Sequence, residues 1–273
     1  MVLPPPHGGN RSQCCRPGRI PVDCYGLPRH GRRSRFVRAG PHAGASRVRD
    51  KDTGLVKQAR AVATRHQLVA AAAAAFDQRG FEGASLGDII EAGTGLSKGA
   101  LYFHFKSKEE LADAVVQRQH EISLAAVEAI AATHAPALEQ IVMLCHEMGR
   151  QIVQDPIVRA GIRLTLEFSS GGGPPDPAGP YRDWIEACRQ LAETAIAEGD
   201  LPGTVDAPEL ARFVISAFTG VQMVSNVLDR RVDLEQRIDQ MWRFLLPGIM
   251  VPARRRKCER IRHARWNRPQ TST

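Results

Sequence analysis

Long apolar runs are scarce in this chain of 273 residues. None approaches the roughly 20 residues a helix needs to cross a bilayer, so no membrane span is expected. The six cysteines (Cys14, Cys15, Cys24, Cys145, Cys188, Cys258) contain no C-x-x-C pair. A disulfide framework therefore has no basis, and a reducing cytoplasm suits the chain. Cys14, Cys15, Cys24 and His30 match no usual zinc spacing, and no metal or other cofactor is expected. Strand-like alternation is absent, and with it any strand-to-loop phosphate cradle. His120, His134 and His146 stand apart from any carboxylate pair or H-E-x-x-H spacing and read as structural. With no nucleophile–base pair in view, the chain is not expected to be an enzyme. The opening MVLPPPHGGN has neither a basic leader nor an apolar core, so it is not a secretory signal.

What is present is charge, unevenly placed. The net charge is +8, yet residues 1–56 carry 11 Lys/Arg against 3 Asp/Glu, and residues 254–273 carry 8 against 1. The remainder, 57–253, is therefore net negative, and 121–253 holds 10 basic against 18 acidic side chains. An acidic C-terminal region is repelled by nucleic acid, which confines DNA contact to residues 57–120 and the tails. Residues 1–56, rich in Pro, Gly and Arg, cannot bury enough surface to offset chain entropy and read as a disordered basic tail. It is either functionless, as from a start codon assigned too far upstream, or a nonspecific DNA arm through Arg32, Arg33, Arg35 and Arg38, or a targeting peptide. Residues 254–273 read as a second disordered basic tail.

Between the tails the pattern is helical throughout, and 43% apolar content supplies a core. A first helix over 62–79 has Leu68, Val69, Ala72, Ala75 and Phe76 at helical spacing and closes at Gly80. A long helix over 107–133 carries Leu111, Val115, Gln119, Ile122 and Ala126 on one stripe, with Gln119 its odd polar member. Further helices are expected at 137–154, 156–168, 181–198, 207–228 and 233–246. SSGGGPPDPAGP (169–180) forms a loop. The helix at 207–228 is apolar almost all round and must be covered on both sides.

The most informative stretch is SLGDIIEAGTGLSKGALYFHFKSKEEL (85–111). Ser85 with Asp88 caps a short helix, Gly93 and Gly95 turn the chain, Ser97 caps a second helix over 98–104, and Ser107 with Glu110 opens a third. Two short helices joined by a glycine turn place a recognition helix in the DNA major groove. Ser97, Lys98, Tyr102, His104 and Lys108 are the phosphate-reaching groups, with Gly99 and Ala100 letting the backbone approach. Phe103 and Phe105 read as core aromatics.

The run FDQRGFEGASLGDIIEAGTGLSKGALYFHFKSKEELADAV resembles the DNA-binding domain of TetR-type repressors, whose signature is G-x-L-Y-x-H-F followed by S/N-K-E-E-L. GALYFHF together with MWRFLLPGI is similar to the γ-butyrolactone autoregulator receptors of actinomycetes. The turn AGTGLSKG is one residue longer than the commoner AGVSKG, and base-reading roles at Thr94 to Leu96 stay unassigned. The resemblance implies an all-α protein, with a helix-turn-helix DNA-binding domain at 57–106 and a ligand-binding and dimerisation bundle at 107–253. It implies a cytoplasmic, nucleoid-associated homodimer pairing through the helices at 207–228 and 233–246, with a palindromic DNA operator and a small lactone as partners. DNA-binding residues are then Ser85, Ser97, Lys98, Gly99, Tyr102, His104 and Lys108. Trp184 matches the receptors' pocket tryptophan by its context, W-I-x-x-x-x-x-L before A-x-x-x-G-D-L. Gln119 and Thr219, polar groups that need partners if buried, are candidates for a lactone carbonyl and hydroxyl. The expected function is a repressor released by a γ-butyrolactone. The alternatives are a repressor answering an antibiotic or its precursor, and a nonspecific DNA-coating protein acting through its tails.

Overall fold

The computed structural model describes residues 45–169, 176 and 178–267, and all regular structure among them is helical. The order is α1 (Ala45–Gly83), α2 (Leu86–Ala92), α3 (Lys98–His104), α4 (Lys108–Ala131), α5 (Ala137–Gln154), α6 (Pro156–Phe168), α7 (Gly179–Ala197), α8 (Ala207–Asp229), α9 (Leu234–Ile249), a 3-10 turn (Pro252–Lys257) and α10 (Cys258–Arg262). The short helices start where a hydroxyl or carboxylate satisfies a free amide. Ser85 Oγ accepts from the Asp88 amide, Ser97 from Ala100 and Ser107 from Glu110. Asp155 and Asp206 do the same for α6 and α8, each followed by proline in the first turn.

Two hydrophobic clusters divide the molecule. Leu68, Ala72 and Phe76 of α1 pack with Ile89, Leu101, Phe105, Leu111 and Val115 to form the core of the N-terminal unit. The larger cluster joins α5, α7, α8, α9 and α10 around Leu138, Val142, Ala192, Val214 and Trp242. Helix α6 serves both. Ala160, Leu164 and Phe168, four residues apart, face α1 and α4, while Val158 and Ile162 face the bundle. Gly80, with a left-handed φ of 73°, breaks α1 where α6 crosses it; a Cβ there would lie 2.6 Å from Arg163 Nη2.

Three expectations are revised. Helix α1 begins at Ala45 rather than near 62, because LVKQARA (55–61) contains good helix formers and no proline; residues 45–56 therefore leave the tail. The remainder of that tail, including Cys14, Cys15, Cys24, His30 and the Arg32–Arg38 cluster, lies outside the described residues. The C-terminal basic segment is structured through residue 267. Ile261 is fully buried, and the bundle's surplus carboxylates take up the arginines. Arg254 and Lys257 face Asp200, Arg260 faces Glu139, Arg262 faces Asp239 and Arg265 faces Glu235. Lastly, α8 is one helix among the described residues long and apolar enough to cross a membrane, because its charges lie near its ends. Its face carrying Leu210, Val214, Phe218 and Gln222 is buried against the bundle. The face carrying Phe213, Val224 and Leu228 is open.

Candidate DNA interface and effector cavity

In the N-terminal unit, helical periodicity decides what reaches outward. Leu101 and Phe105, four residues apart, point into the core, so Tyr102 and Phe103 point away from it and are 59% and 79% exposed. Phe103 is thus a surface residue rather than the core aromatic expected; its ring meets His104 edge-on at 5.0 Å. Phe105 is buried beneath the Arg65 guanidinium. Ser97, Lys98, Gly99 and Tyr102 share an exposed tip, with His104 half-buried at its end. A Cβ at Gly99 would meet only Ser97 Oγ, at 3.9 Å, so internal packing leaves this position open to an approaching surface. Of the two turn glycines only Gly95 is left-handed, at φ 76°. Gly93 is extended, and a side chain there would run into Leu96.

Two of the proposed DNA contacts have other work in this structure. The Lys108 ammonium donates to the carbonyls of Phe81 (2.9 Å) and Ala84 (3.2 Å) and lies over the Phe81 ring. It satisfies the end of α1 rather than facing outward, because α4 starts beside that end. Ser85 is exposed but closes a reciprocal capping box. Its amide and hydroxyl both donate to Asp88 Oδ2, at 2.8 and 2.7 Å, and Arg79 pairs with the same carboxylate.

The bundle encloses a cavity between α4, α5, α6, α7 and α8. Its walls are mostly apolar, with Leu144, Met148, Ile162, Val214 and Phe218 among them, and the unfilled volume is about 70 Å³. Trp184 lines it, and its Nε1 is buried without a hydrogen-bond partner among the described residues. Such an orphaned donor costs about 1–3 kcal/mol unless something accepts from it. Thr219 is also on the wall, its hydroxyl donating back to the Ile215 carbonyl at 2.8 Å, which leaves oxygen lone pairs to accept. Burial raises the pKa of the neighbouring Tyr181 phenol, with contact to Thr219 opposing. Gln119 is not on the wall. It is fully buried against Gly161 of α6, and its Nε2 donates to Ser123 Oγ at 2.8 Å. Its neighbour Ser123, one turn on, lines the cavity instead.

Sequence reasoning missed Ser123, Gln151, Tyr181 and Gln222, polar members of the wall. Gln151 and Gln222 sit on apolar helix stripes, the same signal that singled out Gln119. Burial disfavours the thiolate form of the cavity cysteines. Burial pushes Cys188 up to about 12, and it raises Cys145 further. Two histidines do have carboxylate partners, contrary to expectation. His120 of α4 lies 2.9 Å from Asp183 of α7, and His146 lies 3.0 Å from Glu235. No metal-holding cluster occurs among the described residues.

Residues 68–115 match the family model for bacterial regulatory proteins of the tetR family, and residues 135–252 match the tetracyclin repressor-like C-terminal domain. The A-factor receptor protein of Streptomyces griseus is 35% identical over 198 residues, covering 72% of this chain and 68% of that protein. The chain belongs to the TetR family of bacterial regulatory proteins. Neighbours among solved structures include a gamma-butyrolactone receptor described as ArpA-like, with a TM-score of 0.64 at 31% identity, covering 74% of this chain and 96% of that one. Another is the TetR-family protein CprB from Streptomyces coelicolor in complex with its operator sequence, with a TM-score of 0.60 at 33% identity, covering 74% and 94%.

Proposed function

We propose that this TetR-family protein is a dimeric repressor, working in the cytoplasm at the nucleoid, that leaves a palindromic operator when a γ-butyrolactone-type signal enters the bundle. The orphaned Trp184 Nε1 in a mostly apolar cavity carries the reading. An apolar chamber with few polar groups suits a lactone bearing an alkyl chain. The Trp184 N–H donates to the lactone carbonyl, the indole face packs on the ring, and Thr219 Oγ1 accepts from a hydroxyl. The likeness to the A-factor receptor supports the same ligand class. At the other end, Ser97, Lys98, Gly99, Tyr102 and His104 approach the phosphate backbone as α3 enters the groove. This chemistry is binding, and no catalytic step is proposed.

Dimerisation through α8 and α9 is supported by the open apolar groove between them, which Phe213, Val224, Leu228 and Phe244 line. A two-fold partner covers that groove and sets two α3 helices about 34–36 Å apart. The small unfilled volume supplies a trigger, since a ligand of lactone size must push the walls apart. Helix α4 runs from the N-terminal unit at Lys108 to the cavity at Ser123, Ala126 and Val127. His120–Asp183 ties it to α7 one residue from Trp184. Movement of α7 is thereby passed to the lever that holds α3. A full reversal of a 1:99 equilibrium needs about 5.5 kcal/mol of preference for the released form.

The test is genomic footprinting of the purified protein to find its operator, followed by gel shifts of that operator against a lactone panel and the cell's own antibiotics. Release by lactones at low concentration is expected. In Trp184→Ala, operator affinity persists and lactone release is lost. Normal lactone release by that variant overturns the cavity assignment. A DNA-coating role through the C-terminal tail is disfavoured, because Arg254, Lys257, Arg260, Arg262 and Arg265 already face carboxylates.

A further inference from the structure

A second cleft, of about 640 Å³, lies where α1, α6 and the end of α8 meet. It shares only Ile162 and Gln222 with the effector cavity. Six charged side chains line it: Asp77, Glu167, Arg159, Arg163, Arg230 and Arg231. Both carboxylates are already engaged. Asp77 Oδ2 accepts from Arg159 Nε at 2.9 Å. Glu167 accepts from Arg163 Nε at 2.7 Å and from the Phe81 amide at 2.8 Å. Arg230 and Arg231 remain, and among the described residues neither has a carboxylate at ion-pair distance.

Arg231 is the unusual one. It is half-buried, and among the described residues its Nε is buried without a hydrogen-bond partner and its one side-chain bond is a long contact from Nη2 to Gln222 Oε1 at 3.3 Å. Burial lowers its pKa, Asp77 attracts it from farther off, and Arg159 repels it. The backbone is bent to place it there, with left-handed φ values of 50° at Arg230 and 65° at Arg231, conformations that residues with side chains rarely adopt. A strained turn that delivers an uncompensated guanidinium into a cleft with net positive charge is a site for an anion. The lining also has an apolar part: Ile152, Leu166, Met223 and Val227. Met223 and Val227 lie on a different face of α8 from Val224 and Leu228, which line the groove assigned to the dimer partner.

We propose that this cleft is a second effector site, separate from the lactone cavity, which binds an amphipathic carboxylate: the head group on Arg231 and Arg230, the alkyl chain along Met223, Val227 and Leu166. Its position makes it regulatory. Arg159–Asp77 and the Arg163 bond to the Asp77 carbonyl join the bundle to α1, and an occupant sits against both.

Calorimetric titration of the full chain with octanoate, octanamide and acetate tests this. Octanoate is expected to bind at least about 10-fold more tightly than octanamide, which lacks the charge, or acetate, which lacks the chain. Arg231→Gln should weaken octanoate by about 10- to 100-fold, Arg231→Lys by less, and Trp184→Ala not at all. Should Arg231→Gln fail to fold, Met223→Glu, at an exposed position on the apolar wall, is expected to weaken octanoate by a similar factor. Absence of octanoate binding, equal binding of octanamide, or loss of octanoate in Trp184→Ala with retention in the cleft variants overturns the proposal. The first two outcomes leave the lactone reading untouched, since that rests on the other cavity.

Discussion

The N-terminal unit and the sensing bundle are both helical, but their shapes are specified over different distances. In the N-terminal unit the decisive bonds are short in sequence: Ser85 to Asp88, Ser97 to Ala100, Ser107 to Glu110. In the bundle the residues that shape the cavity come from five helices spread over 123–222. A capping motif acts within one turn and can be read directly. A cavity wall depends on how distant faces are turned, which no local pattern states.

The largest expected effect tests whether the two regions can be separated. Leu101→Ala removes a fully buried side chain from the N-terminal core and should cost about 2–5 kcal/mol by denaturant unfolding. Operator binding should fall away while lactone binding to the bundle persists in calorimetry. Equal loss of both would mean that α6, whose Ala160, Leu164 and Phe168 belong to the same cluster, fuses the two regions into one cooperative unit.

A pair of lysines sharpens the boundary between folding and recognition. Lys108→Ala removes the ammonium that bridges the Phe81 and Ala84 carbonyls and should cost about 1–3 kcal/mol. Lys98→Ala, at an exposed position, should stay within about 0.5 kcal/mol in stability. It should instead weaken binding to all DNA sequences alike and lower the salt slope by about 1. Thermal unfolding and salt-dependent gel shifts separate the two. If Lys108→Ala is as stable as the wild type, its inward bonds are not maintained in solution and its assignment to phosphate returns.

This difference in range explains what the sequence disclosed. The short helices α2 and α3 and their caps were legible, and Trp184, singled out by its context, lines the cavity. Lys108 was not, because spacing places it at the start of α4 without showing that the end of α1 lies beside it. Phe103 misled because its aromatic character suggested burial, while periodicity from Leu101 puts it on the opposite face. Gln119 stood out as the polar member of an apolar stripe and is fully buried, yet the glycine of α6 that it packs against lies 42 residues away, at Gly161. The C-terminal segment read as disordered from its charge. The carboxylates that hold it, Glu139, Asp200, Glu235 and Asp239, are spread along the chain and converge only on folding.

A smaller effect probes the capping box itself. Ser85→Ala removes the acceptor for the Asp88 amide and should cost about 0.5–2 kcal/mol, measured by urea unfolding. DNA affinity should fall only as far as α2 frays. A loss of affinity with unchanged stability would return Ser85 to the phosphate contacts.

The mildest perturbation is a proton. The Ser85 hydroxyl, then the Ser85 amide and then Arg79 hold the Asp88 carboxyl at about 2, below its ordinary 3.8. A folded-state value below the unfolded one means that the carboxylate form stabilises the fold. The contribution is complete above pH 3.8 and drains away as pH falls towards 2. Carbon-detected titration of the Asp88 carboxyl should therefore show a midpoint near 2. In Asp88→Asn the part of the acid-unfolding slope that this group supplies should vanish, and the variant should be less stable than the wild type at neutral pH but not at the acid end of that window. A midpoint near 3.8 would show the box open in solution. The start of α2 would then depend on packing against α1, as the bundle helices depend on one another, and the contrast in range between the two regions would disappear.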